Sequence, residues 1–337
     1  MTPQDQLREL IGSYWKPYVV TCAAELGIAD AMGDAPVLAD DLAARLALDP
    51  QALARLLRAM AALGLVSDEG GGMFALTETG ACLRADSPHS LKGMALHVGT
   101  QLTPAFAALA ECVREGRPPD FVKYGPDGFA EFADRPDAAA IFNQSMVDNS
   151  RRIAGDAAAA YDFAQFATIM DVGGGYGAVL ATLLKAAPQA TGCVLDLGHA
   201  REGALELFAH DGVAGRARYV EASFFDELPE TAECYVLKYI LHDWNDAYAE
   251  RIVARVGEAA AKTGGTVILI ERIMPGRFEP GEEHAKAAQG DLTMMLWDGK
   301  ERTEAEFAAL LAHGNLGLTR TVPLPDKHFV IEAIPRG

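Results

Sequence analysis

Apolar side chains return at Leu53, Leu56, Leu57, Met60 and Leu63, the three-and-four spacing of one face of an amphipathic helix. Asp49-Pro50 opens that helix with a capping side chain and a proline at its first position, and Gly64 suits its C-terminal end. Ahead of it, Asp40 is expected to cap a shorter helix carrying Leu42 and Leu46. Behind it, Leu65-Val66-Ser67 and the run from Met73 to Thr77 flank Gly70-Gly71-Gly72, which predicts a strand, a glycine turn and a second strand.

Two helices closely followed by a hairpin form the pattern of a winged helix-turn-helix, here within residues 1–100. From 101 to 165 the pattern is helical and irregular by turns, broken at Gly116-Arg-Pro-Pro119 and Gly125-Pro126. Phe142 and Met146 share a helical face there. From Thr168 the rhythm changes. Short apolar strands at Thr168–Val172, Gly192–Asp196, Arg218–Val220, Cys234–Leu241 and Thr266–Glu271 alternate with helical stretches at 178–187, 201–209 and 246–262. Alternation of this kind predicts an open parallel sheet covered on both faces. Such sheets bind ligands beyond the carboxyl ends of their strands, so polar residues just past each strand are the candidates for chemistry.

Composition narrows the function. A length of 337 residues suits two domains, and a net charge of −18 argues against a nucleic-acid or anionic-membrane binder, which would carry clustered basic residues. The winged module itself, residues 35–85, holds four arginines, no lysine and six acids, so it is better suited to packing against a partner subunit than to reading DNA. Five scattered cysteines without a CxxC pair point to a reducing, cytoplasmic setting. The N-terminus has no signal-peptide pattern and no run approaches a membrane span.

Asp171-Val-Gly173-Gly174-Gly175-Tyr-Gly177 joins the first of these strands to a helix, and Asp196 ends the next strand, 23 residues after Gly173. Glycines permit a sharp turn and close approach of a ligand. The spacing fits either a methyl-donor nucleoside or a dinucleotide, and Asp196 could hold ribose hydroxyls in both. Two features favour the methyl donor. The unit comes late in the chain, and Asp171 would repel a pyrophosphate but suits a ligand bearing a sulfonium and an ammonium.

The strand from Cys234 runs into His242-Asp243-Trp244. A histidine at the active edge can accept a proton near neutral pH. Trp244 could stack on a nucleobase or simply pack. Glu271 ends the next strand, where its carboxylate could orient the imidazole. Glu301, ahead of a helix that Thr303 could cap, reads by spacing alone as a solvated loop acid.

Taken together, Phe142-Asn-x-x-Met146, Asp171-Val-Gly-Gly-Gly, Leu195-Asp-Leu197, Ser223-Phe-Phe225, Leu237-Lys-Tyr-Ile-Leu-His-Asp-Trp244, Glu271 and Gly299-Lys-Glu-Arg-Thr303 resemble the plant caffeate-type and bacterial secondary-metabolite O-methyltransferases over nearly the whole chain. The resemblance implies an α/β Rossmann-like methyltransferase domain with a mostly parallel seven-stranded sheet. A winged-helix dimerisation domain over 1–100 would precede a helical connector plus catalytic domain over 101–337. It implies S-adenosylmethionine as cofactor, held by Asp171, Gly173, Gly175, Asp196, Leu197, Ser223, Phe224 and Lys238, with Trp244 near the adenine. It implies His242 as general base flanked by Glu271 and Glu301, and an acceptor pocket formed by Phe142, Met146, Asp243, Met294 and Met295. The family often has Asp where Ser223 stands, and Leu-Pro-His where this chain has Leu197-Gly-His199.

The expected reaction moves a methyl group from sulfur to a hydroxyl oxygen of a small aromatic or polyketide-like substrate, in a homodimer, without a metal. Three other readings stay open: a relative that binds the same cofactor for non-methylating chemistry (hydroxylation, decarboxylation or pericyclic), a nicotinamide oxidoreductase, and a transcriptional regulator. The His242, Glu271 and Glu301 set argues against the first, and the charge count against the last.

Overall fold

The computed structural model describes residues 2–87, 89–123 and 134–337. The Gly125-Pro126 break expected from the sequence lies outside them. The chain divides into two compact units, Met1–Pro104 and Ala105–Gly337.

In the first unit, Asp49 accepts the Ala52 N–H and Pro50 begins the helix Pro50–Ala62. That helix ends in the left-handed turn a glycine makes at low cost: Gly64 has φ +74°, its N–H reaches the Ala61 carbonyl, and the Leu65 N–H reaches the Met60 carbonyl. The shorter helix spans Ala39–Leu46 and Leu38 occupies its cap. Asp40 therefore lies inside the first turn, where its charge complements the helix dipole rather than capping it. Strands β1 (Val37–Leu38), β2 (Val66–Gly70) and β3 (Met73–Leu76) pair in the order β1-β3-β2, with Gly70, Gly71 and Gly72 all at positive φ in the turn. Ile28, Leu42, Leu57 and Met60 form its fully buried centre.

The second unit is built on a seven-stranded sheet of β4 (Thr168–Val172), β5 (Thr191–Asp196), β6 (Ala217–Glu221), β7 (Cys234–Lys238), β8 (Thr266–Arg272), β9 (Leu316–Pro323) and β10 (His328–Pro335). Its order is β6-β5-β4-β7-β8-β10-β9. The first five strands pair in parallel, and β10 enters antiparallel between β8 and β9. Alternate residues of each strand feed opposite layers. Val194, Val236 and Ile268 pack with the helices Ala178–Ala186 and Arg201–His210, whereas Cys193, Leu195, Tyr235 and Leu269 pack with Asp246–Thr263 and Glu304–His313.

One boundary differs from the sequence expectation and matters for the site. β7 stops at Lys238, because Tyr239 takes the left-handed conformation at φ +56°. His242 then lies on a single 3-10 turn, Leu241–Asp243, rather than on a strand.

Candidate functional site

A cavity of about 350 Å³ opens beyond the carboxyl ends of β4, β5 and β7. Its floor is the glycine loop. Gly173 and Gly175 have φ +74° and +54°, and a Cβ on Gly173 would come within 2.5 Å of Ile240 Cδ1 and 3.2 Å of Phe224 Cε1, so only bare backbone fits there. Gly177 leaves the next helix without a capping side chain. Asp171 supplies one from the strand, its Oδ2 accepting the Leu180 N–H at 3.2 Å. Asp171 is fully buried, and burial pushes its carboxyl up to about 7.

Asp196 accepts the Gly175 N–H through Oδ2 and its neighbour Leu197's N–H through Oδ1, each at 2.7 Å. It thus fixes the loop and keeps further lone pairs toward the cavity it lines. Leu197, Ser223, Phe224, Lys238 and Trp244 complete this half. Trp244 is held edge-on by Phe224 and Phe225 at centroid distances of 5.7 and 4.7 Å. Lys238 donates to Ser150 Oγ at 3.1 Å, and burial lowers its ammonium to about 8. Three carboxyl groups, of Asp171, Asp196 and Asp243, and one ammonium, of Lys238, line the cavity, a charge balance that suits a cationic ligand.

Phe142 and Met146, from the helix Pro136–Ala160, form an apolar wall. Asp243 also lines the cavity, and burial pushes it up to about 6. Met294 and Met295 lie outside this lining. Met295 packs with Cys112 and Leu296, and adjacent residues on a helix point apart.

His242, Glu271 and Glu301 come together in a buried cluster behind Asp243, not in the cavity lining itself. His242 Nδ1 lies 3.1 Å from Glu301 Oε1 and 3.9 Å from Glu271 Oε2, and its Nε2 lies 3.5 Å from Asp243 Oδ1. Burial alone would lower the imidazole's pKa. The carboxylates of Glu271, Glu301 and Asp243 outweigh it and hold the group up, to about 9. Glu271 is itself pushed up to about 7 by burial. Its Oε1 accepts the Ile240 and Leu241 N–H groups, so it anchors the turn that carries His242 as well as facing the ring. Glu301, a solvated loop acid by spacing alone, is 6% exposed. One donor from each of the three residues lies within 4.8 Å of the others, close enough to gather a cation, but the His242–Glu301 hydrogen bond already occupies the nitrogen.

Sequence reasoning missed Arg302. It lies in the Gly299–Thr303 segment, and nothing local marks it as buried. At 1% exposed it donates to the Leu241 carbonyl at 2.6 Å, the Trp244 carbonyl at 2.9 Å and Asp246 at 2.8 Å, and so clamps both sides of the His242 turn.

A family model for an O-methyltransferase domain matches residues 106–315, and one for an O-methyltransferase dimerisation domain matches residues 8–86. The phenazine O-methyltransferase PhzM of Lysobacter antibioticus is 32% identical over 98% of this chain and 95% of its own. The 8-amino-8-demethylriboflavin N,N-dimethyltransferase of Streptomyces davaonensis is 31% identical over 94% of this chain and 90% of its own. Among solved structures, LaPhzM superposes with a TM-score of 0.92 at 31% identity, covering 100% of both chains. NcsB1, an O-methyltransferase from neocarzinostatin biosynthesis in complex with S-adenosylmethionine and 2-hydroxy-5-methyl naphthoic acid, superposes at 0.78 with 33% identity, covering 95% of this chain and 96% of its own. This chain belongs to the O-methyltransferase family.

Proposed function

We propose that this enzyme is an S-adenosylmethionine-dependent O-methyltransferase acting on a phenolic hydroxyl of a small aromatic or polyketide-like metabolite, with His242 as general base. The observation that carries the reading is the His242 imidazole, whose Nδ1 is committed to the Glu301 carboxylate beside a cavity floored by bare glycine backbone. A carboxylate only accepts, so Nδ1 carries a proton and Nε2 is the nitrogen left to take one.

Bound in this cavity, S-adenosylmethionine supplies a methyl group on a positively charged sulfur. Asp196 would hold its ribose hydroxyls with the lone pairs that Gly175 and Leu197 leave over. Gly173, Gly175 and Leu197 let the nucleoside lie against backbone. Ser223, Phe224 and Trp244 would flank the adenine, and Asp171 and Lys238 the remaining polar groups. Phe142 and Met146 present an apolar face to the acceptor ring, and Asp243 a polar one to its hydroxyl. Met294 and Met295, outside the cavity lining, would complete the acceptor pocket.

A free phenol, with a pKa near 10, is a poor nucleophile at pH 7. Neutral His242 takes its proton on Nε2, and the carboxylates of Glu301 and Glu271 stabilise the imidazolium so formed. Proton transfer of this kind is worth roughly 10²–10⁴ in rate, and alignment of the acceptor supplies much of the remainder. An amine acceptor is the second reading, favoured by the N,N-dimethyltransferase among the relatives.

The N-terminal unit (residues 1–100 in the domain division proposed here) would make the enzyme a homodimer. Leu7, Leu10, Ile11, Tyr14 and Tyr18 are each more than half exposed, apolar side chains that a partner subunit would cover. Light scattering should give twice the chain mass at micromolar concentration. A methyl-transfer screen over hydroxylated and aminated aromatics decides the acceptor. Transfer to nitrogen alone would overturn the phenolic reading.

A further inference from the structure

Tyr239 is a bulky residue held in a backbone conformation that such residues avoid, with φ +56°. Strain of this kind persists only where the surroundings over-determine it. Here they do. The His328 Nδ1 lies 2.9 Å from the Pro325 carbonyl, and a carbonyl only accepts, so Nδ1 carries the proton. Burial lowers His328 to about 4 and keeps it neutral. Its Nε2 is therefore an acceptor, and the Tyr239 hydroxyl donates to it. The same hydroxyl accepts from Arg272 Nε at 3.4 Å. His328 itself is delivered by two consecutive left-handed residues, Asp326 and Lys327, ahead of β10.

The other end of Tyr239 meets the base. Its ring stacks on the His242 ring at a centroid distance of 4.6 Å and an interplanar angle of 30°. The carboxylates of Glu301, Glu271 and Asp243 approach His242 at its ring nitrogens, whereas the tyrosine ring stacks on the imidazole. An aromatic face also favours a cation over it: the Lys238 ammonium lies 4.0 Å from the Tyr239 ring centroid, and the imidazole becomes a second cation on that ring when it takes a proton.

We propose that Tyr239 is a positioning residue for the base: His328 and Arg272 fix its hydroxyl, and its ring fixes the plane of His242 and steadies the imidazolium. The inference rests on the general-base reading above. The groups that face His242 are Glu271 from β8, Glu301 from the loop before the last helix, Asp243 from its own turn and the Tyr239 ring.

The test uses steady-state kinetics and pH profiles of the intact enzyme. His242→Gln is measured first, because unchanged turnover there would remove the base itself and with it the reading on which this one rests. Given a functioning base, His328→Leu should lower kcat roughly threefold to tenfold. KM for S-adenosylmethionine should change less than kcat, because His328 is 1% exposed and outside the cavity lining, although the Tyr239 it holds is part of that lining. His328→Gln should recover much of the loss, since its amide can donate to Pro325 and accept from Tyr239. Tyr239→Phe should behave like His328→Leu, and the two together no worse than either alone. Tyr239→Leu, which removes the ring, should also move the acid limb of kcat to lower pH. Melting curves report whether each variant is folded. Additive losses in the double variant, or wild-type kinetics in folded His328→Leu, would overturn the proposal.

Discussion

The two halves of the site are made of different material. The nucleoside half is mostly backbone: glycine φ angles, N–H groups and one carboxylate, Asp196, tied to two of them. The base half is mostly side chain. It gathers His242, Glu271, Glu301 and Arg302 from three separate segments, tied to one another and to buried backbone groups. Backbone shape tolerates distant change but rejects a single added methyl. A side-chain network tolerates shape change but fails when one member leaves a buried partner behind.

That contrast can be broken by mutation. The largest effect is expected for His242→Gln, which should lower kcat by about 10²–10⁴ while calorimetry shows S-adenosylhomocysteine binding unchanged. Parallel losses in binding would mean the halves are not separable. Arg302→Met should come next, destabilising the fold by about 3 kcal/mol in urea unfolding, because two buried carbonyls lose a charged donor. A neutral result would make the clamp dispensable. Asp196→Ala should weaken S-adenosylhomocysteine binding at least tenfold, from lost charge-assisted hydrogen bonds of about 1.5–3 kcal/mol each, and leave kcat at saturation little altered.

The mildest effect is on pH. The base must be neutral to act, so activity rises as pH passes its pKa. With the carboxylates holding His242 up to about 9, the acid limb of kcat/KM should lie above the ordinary 6.5 and not at it. Glu301→Gln should bring the limb down in pH. A limb at or below 6.5 in the wild type would show that burial, not the carboxylates, governs the ring.

The same division decides what could be read in advance. The glycine loop, Asp196 and the strand–helix alternation were legible because each follows from a local rule: φ freedom, period and strand-end position. The winged module was legible from its caps and its glycine turn. The base half was not legible by local rules. Glu301 is separated from His242 by 59 residues and looks solvated by spacing, so only the resemblance lifted it. Arg302 and Tyr239 gave no signal at all, since burial of a guanidinium and a positive φ at tyrosine both run against residue preference. Likewise, β9 and β10 escaped a reading tuned to strands alternating with helices.

The placement of β10 between β8 and β9 also has a consequence in time. A ribosome delivers β9 first, but its slot in the sheet exists only once β10 has paired with β8. Until then the strand carrying Leu316, Leu318 and Val322 has no neighbour in the sheet. Chain order and sheet order are thus reversed at this edge, and β9 can join only after the strand that carries His328 has paired with β8.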